Sequence, residues 1–248
     1  MKLHRICSAL ILIACLQVPS ANGQETFRGC GMAGRTKLVR IQALNRQKNR
    51  YTAPVDQQID HSVSLKEMLQ PGNDVNRFRS NQGATIIGYV VGAKPGGIES
   101  CNCKAEEVKW RDTHIDVVMN PQEAPDKTRH VVVEVTPRWR AIKAKPSQPG
   151  GRAVDWSTPA LAKAIVGKWV KITGWMFFDG EHTNAAENTH ANGKHNWRAT
   201  AWEIHPVSDI QLTGDPSANP LNQVFRRDLI DSPPKTNQRI KARPTPRT

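Results

Sequence analysis

The sequence predicts a mainly β fold: a five-stranded barrel in the order β-β-β-α-β-β, set between a basic N-terminal arm and a disordered basic tail. Three observations point there. Residues 84–213 hold five segments with the β-branched content or period-two alternation of strands. A single helical segment falls between the third and the fourth. Gly88, Gly92 and Gly174 interrupt the strand patterns, where a sheet that curls on itself needs bends or bulges.

The chain of 248 residues opens on a basic stretch, Met1–Arg5, and an apolar run from Ile6 to Leu16. That run is shorter than the roughly 20 apolar residues that cross a bilayer. It reads as a signal peptide over 1–23, with Ala21-Asn22-Gly23 as a small-residue cleavage site. Leu12-Ile13-Ala14-Cys15 has the form of a bacterial lipobox, whose processing would remove 1–14 and leave an acylated, membrane-anchoring Cys15. Either route makes the protein exported, periplasmic or extracellular, with no transmembrane segment in the mature chain. An oxidising compartment favours disulfides, so Cys30 is expected to pair with Cys101 or Cys103 and to leave one odd thiol.

The formal net charge is +13. Residues 28–50 carry seven Arg/Lys and no acid, and residues 226–248 carry seven against Asp228 and Asp231, whereas 51–225 balance. The excess therefore sits in flanking segments. These are suited to non-specific polyanion or anionic-membrane contact, while a neutral centre argues against a general single-strand binder.

Residues 24–83 read as an arm. Its first part is an extended lead-in, within which Lys37–Leu44 fits a strand or a helical turn equally. Ser64-Leu65-Lys66-Glu67 is a capping box with Val63 and Met68 as a hydrophobic staple, starting a short helix that Pro71-Gly72 ends. The barrel strands follow. Strand 1 is Thr85–Ala93, strand 2 the alternating Asp112–Met119, and strand 3 His130–Thr136, stopped by Pro137. Residues 141–156 read as a Pro/Gly/Lys linker. Thr158 is then an N-cap with Pro159 at N1, Leu161 and Ile165 share one face, and Gly167 lies past the end. Strand 4 is Trp169–Phe178, and strand 5 is Trp197–Leu212. On strand 5 Ala201, Glu203 and His205 take one face and Trp202 and Ile204 the other, which is the expected core side. Residues 214–248 read as a disordered basic tail.

Five strands with the helix between the third and fourth resemble the OB-fold over 84–213. Blocks such as Ser100-Cys101-Asn102-Cys103, Asp112-Thr113-His114-Ile115, Glu134-Val135-Thr136-Pro137-Arg138 and Trp202-Glu203-Ile204-His205-Pro206-Val207 also resemble uncharacterised secreted bacterial OB-like proteins. No known activity comes with that likeness. The OB-fold resemblance implies ligand binding across strands 2 and 3, bracketed by the loops joining strands 1–2 and 4–5. Both loops are long and polar here, and such length ordinarily serves a function or marks disorder.

The candidate ligand-binding residues are accordingly Trp110, Asp112, His114, Asp116, Glu134, Arg138, Trp139 and Arg140. Trp110 and Trp139 flank strands 2 and 3 as possible stacking platforms. Glu134 with Arg138 could orient water and hold a phosphate, or form an ordinary surface ion pair. Asp179, His182, Glu187 and His190 in the 4–5 loop are a reservoir of oxygen and imidazole ligands for a divalent metal. Glu203 and His205 rank below these, since strand 5 lies off the centre of the usual binding face. The expected function is an exported binding module for an unknown ligand or protein. The alternative is a metal-dependent hydrolase or phosphodiesterase using Asp112, His114, Glu134 and loop histidines.

Overall fold

The computed structural model describes residues 26–146 and 151–218. The signal and lipobox expectations, and all of the tail beyond 218, lie outside those residues. Thr26–Phe27 pairs antiparallel with Cys30–Gly31. The remaining elements are α1 (Val39–Lys48), α2 (Leu65–Met68), β1 (Gly83–Pro95), β2 (Thr113–Val118), β3 (Val131–Val135), α3 (Pro137–Lys143), α4 (Thr158–Ile165), β4 (Trp169–Phe178) and β5 (Trp202–Leu212), with several single 3-10 turns. Among the described residues, no helix is long and apolar enough to cross a membrane.

The five strands close into a barrel in the order β1-β2-β3-β5-β4. β3 and β5 run parallel, with Val133 opposite Ile204, and every other pair is antiparallel. This mixed barrel is compatible with an OB-like fold. Its closure depends on β1, a 13-residue strand that pairs with β4 through Gly83–Tyr89 and with β2 through Tyr89–Pro95. A strand shared between two neighbours must bend, and the register shifts between Val90 and Gly92. Gly88 sits at the tightest point: a Cβ there would lie 2.3 Å from Val117 Cγ1 and 2.7 Å from Leu65 Cδ2.

Inward-facing Ile86, Val90, Ile115, Val117, Val131, Val133, Val135, Ile172, Met176, Trp202 and Ile204 fill the interior. α4 adds Leu161 and Ile165, and α2 adds Leu65 and Met68. Full burial of one such side chain contributes about 1.5–3 kcal/mol. Ser64 Oγ caps α2 by accepting from Glu67 N at 3.2 Å, and Val63 and Met68 are both buried as the staple requires.

The structure corrects the sequence reading in four places. The supposed linker after strand 3 begins with a helix, α3. Pro137 stops the strand but also serves as its N1 residue, and Thr136 caps it through Trp139 N. The residue preceding α4 is Ser157; Thr158 is already helical and meets Thr113 Oγ1 at 2.6 Å instead of capping. β5 starts at Trp202, so Trp197 and Arg198 belong to the preceding loop. Finally, the lead-in is folded. α1 carries no apolar stripe, which is why periodicity left it undecided, and it docks through polar side chains. Asn45 Nδ2 donates to Ala33 O and Ser100 Oγ, and Asn49 Nδ2 donates to Met32 O and Cys101 O.

Candidate functional site

In a bare barrel the outward side chains of β2, β3 and β5 would meet water. Here α1 and the segment from Gly96 to Lys104 lie over them. The period of two sends His114 and Asp116 of β2, Glu134 of β3, and Glu203 and His205 of β5 to this covered side. His114 and Glu134 are register partners. Asp112 precedes β2, and α1 brings in Lys48. The result is a buried ionic layer: Asp112 is 1% exposed, Glu134 5%, Glu203 3%, His205 0% and Arg198 0%. Burying charge is expensive unless each group finds partners.

The pairing is extensive. Lys48 Nζ lies 2.5 Å from Glu99 Oε2. Arg198 bridges Asp179, at 3.1 Å, and Glu203. His182 Nδ1 lies 2.6 Å from Asp179 Oδ2. His114 meets Glu134 Oε1 through Nδ1 and Asp116 Oδ1 through Nε2, both at 3.1 Å. His205 Nδ1 is 3.2 Å from a carboxylate oxygen of Glu203 and from one of Glu134.

These contacts reset the titration of the groups. Burial pushes the Asp112 carboxyl up to about 7, although His205 opposes it. Burial alone would lower His114, but its two carboxylate partners raise it to about 9. His205 is likewise raised against burial by Glu203, Glu134 and Asp112. Burial works against the ionised Glu134 and Asp179, yet His114 and His205 hold Glu134 below the usual carboxylate range, and His182, Lys48 and Arg198 do the same for Asp179. Burial raises the Cys101 thiol.

Above this layer opens a pocket of about 480 Å³ between the two long loops. Lys94, Pro95, Gly96, Gly97, Ile98 and Glu99 form one wall; Asp179, His182, Trp197 and Arg198 form the other; His114, Glu134 and Glu203 reach it from the strands. Trp197 stands 5.7 Å from the rings of both His114 and His182. His182 is close to half exposed, at 46% of its side chain, and gives the rim an accessible imidazole.

Of the sequence candidates, Asp112, His114, Asp116 and Glu134 come together. Arg138 and Arg140 do not join them. Arg138 donates to Asn49 Oδ1 and Cys30 O, and Arg140 to Thr113 Oγ1 and the carbonyls of Val135, Lys109 and Arg111, all neutral oxygens. Trp139 is no surface platform. It lies in α3, 5% exposed within the core, and its Nε1 donates to Arg50 O. Trp110 is partly exposed on a separate patch, with Phe27 edge-on and the Arg28 guanidinium 3.8 Å from its ring centre.

The expected loop metal set is split. Asp179 and His182 meet, but Glu187 accepts from Asn192 N and Asn196 Nδ2, and His190 is exposed. Elsewhere, Asp112, Glu134 and His205 place one ligand-type atom each within 4.8 Å of one another, as do Glu99, Cys101 and Asp112. Of the cysteine alternatives, Cys30 is joined to Cys103 and Cys101 is free and buried.

Sequence reasoning missed Lys48, Glu99, Trp197 and Arg198 and ranked Glu203 and His205 too low. A signal was present: Asp112-x-His114-x-Asp116 and Glu203-x-His205 put ionisable groups at period two, running into β2 and along β5. No family model, curated protein or solved structure matches the chain.

Proposed function

We propose that the protein is an exported binding module, related in kind to the secreted OB-like proteins its sequence blocks resemble, that holds a small polar ligand between its two long loops. The observation that supports this reading is the convergence of both loops on one charged pocket, over strands held rigid by barrel closure. Trp197 offers a flat apolar face, while His182 and the exposed Lys94 supply donors at the mouth. Glu99 and Glu134 supply acceptors. In this reading the basic segment 226–248 adds non-specific attraction to polyanions or anionic membrane, which salt weakens steeply.

A panel of nucleoside monophosphates, hexoses, short oligosaccharides and amino acids, tested by thermal shift, checks this reading. At a hundredfold excess over Kd, a ligand stabilises by about 2.7 kcal/mol. At least one compound should raise the melting temperature of the wild type, and Trp197→Ala or His182→Ala should abolish the shift while keeping the far-UV spectrum. No shift with any compound, or one that survives both substitutions, sinks the idea.

A metal-dependent hydrolase is the second reading, favoured by the presence of His114, His182, Glu134 and Asp179 around one pocket. Both histidines are tied to carboxylates. Hydrolysis of a phosphodiester such as bis(4-nitrophenyl) phosphate, dependent on added metal and lost in His182→Ala, would raise it above the first.

A further inference from the structure

We propose that Asp112, Glu134 and His205 form a single divalent-metal site, of the zinc or manganese type, buried beneath the pocket floor. The proposal does not depend on which ligand, if any, the pocket takes.

Each of the three side chains has one polar atom held by a neighbour and the other without a hydrogen-bond partner. Asp112 Oδ2 accepts from Asn102 Nδ2 at 3.0 Å, and its Oδ1 has no partner. Glu134 Oε1 is held by His114 Nδ1 at 3.1 Å; its Oε2 makes no hydrogen bond, though it lies 3.2 Å from His205 Nδ1. His205 Nδ1 faces Glu203 Oε2 at 3.2 Å, and its Nε2 has none. All three residues are at least nine-tenths buried. A buried polar atom left unsatisfied costs about 1–3 kcal/mol, and three of them on neighbouring residues are unusual in a native interior.

This division of labour is what metal ligation requires. A ligating histidine donates its other ring N–H to a carboxylate, which fixes the tautomer, and ligating carboxylates are themselves hydrogen-bonded. Glu203 does this for His205, and Glu203 is in turn anchored by Arg198. Metal–ligand bonds of about 2.0–2.2 Å bring donor atoms within roughly 4.4 Å of one another. The three residues already offer atoms within 4.8 Å, so small side-chain adjustments close the site. His205 already lies against both carboxylates, its Nε2 3.8 Å from Asp112 Oδ2 and its Nδ1 3.2 Å from Glu134 Oε2, so ligation through Nε2 needs Asp112 and Glu134 to turn toward it.

Charge points the same way. Lys48 pairs with Glu99, and Arg198 pairs with Asp179 and Glu203. Asp116 has His114. Glu134 shares that imidazole, and Asp112 and Glu134 both face His205. Among the described residues neither has a Lys or Arg in an ion pair, and a dication would neutralise these two carboxylates together. One nitrogen and two carboxylates suit zinc or manganese better than calcium, which prefers oxygen alone. Glu134 lines the pocket and so gives the ion an entry path.

The test uses the full mature chain, stripped with chelator and dialysed against zinc or manganese alone, with bound metal counted by elemental analysis. One ion per chain is expected. Asp112→Asn and Glu134→Gln should each weaken binding at least tenfold, and Asn102→Ala should weaken it about 10–100-fold. Replacing the loop histidines together (His182, His190 and His195 to Ala) should leave the ion in place. No bound ion in the wild type overturns the proposal, as does full binding in both Asp112→Asn and Glu134→Gln. Should those variants not fold, X-ray absorption of the metal-loaded wild type decides: a shell of oxygen with one imidazole supports the site. Sulfur in that shell would assign the ion to Cys101 and refute it.

Discussion

Replacing Arg198 with Met tests the ionic layer most directly. Arg198 is fully buried and lies between two carboxylates, Asp179 at 3.1 Å and Glu203. Methionine keeps much of the side chain's length and removes the charge. Asp179 keeps His182 and Glu203 keeps His205, but both lose the permanent cation. Breaking one side of a buried pair costs about 3–5 kcal/mol, because the remaining charge is left in a poorly solvating interior. For a folded region of this size each kcal/mol lowers Tm by about 2–4 °C, so a fall of about 10 °C is expected. Thermal and guanidinium unfolding, followed by circular dichroism, measure both quantities. Adding Glu203→Gln to Arg198→Met should recover about 1 kcal/mol or more, because the stranded charge goes with its partner. A single variant that melts within about 2 °C of wild type, or a double variant no more stable than the single, would refute the reasoning.

Other expectations follow from the same contacts. Asp179 has a folded pKa depressed below its unfolded value of about 3.9, so its contribution is fully present above that pH and is lost as pH falls through the folded value. Urea midpoints taken from pH 5 downward should therefore decline more steeply in wild type than in Asp179→Asn; parallel profiles would exclude the effect. Removing the Cys30–Cys103 link, which spans 73 residues, with Cys30→Ser and Cys103→Ser together should cost about 4 kcal/mol by loop entropy. In the native protein Cys101, buried and with its thiol pKa raised, should resist a thiol reagent that labels it after unfolding. Trp139→Ala should lower stability by about 3–5 kcal/mol, as expected of a core truncation; an unchanged denaturation midpoint would contradict its place in the core.

The barrel was legible in the sequence because its interior is apolar and its strands alternate. Ile115 and Ile204 stand in alternating segments, while Ile86, Val90 and Val133 stand in β-branched runs. The caps of α2 and the bends at Gly88 and Gly174 are local chemistry, written in neighbouring residues. The location of the site was half legible. Two overlong polar loops pointed to the end of the barrel where the charged pocket opens, and Asp112, His114 and Glu134 were named among the candidates.

What the sequence by itself determined, then, is the set of five strands and the core side of the last. Only the tertiary structure decided what happens on the outer face of β2, β3 and β5. α1 docks there by hydrogen bonds from Asn45, Asn49 and Lys48, which leave no hydrophobic period to read. That docking buries Glu203 and His205, which lie on the face of β5 opposite the expected core side, and Arg198 joins them from a loop 5 residues away from Glu203. Charge pairing has no sequence period. It depends on distance in space, and those distances exist only once the arm has closed over the barrel.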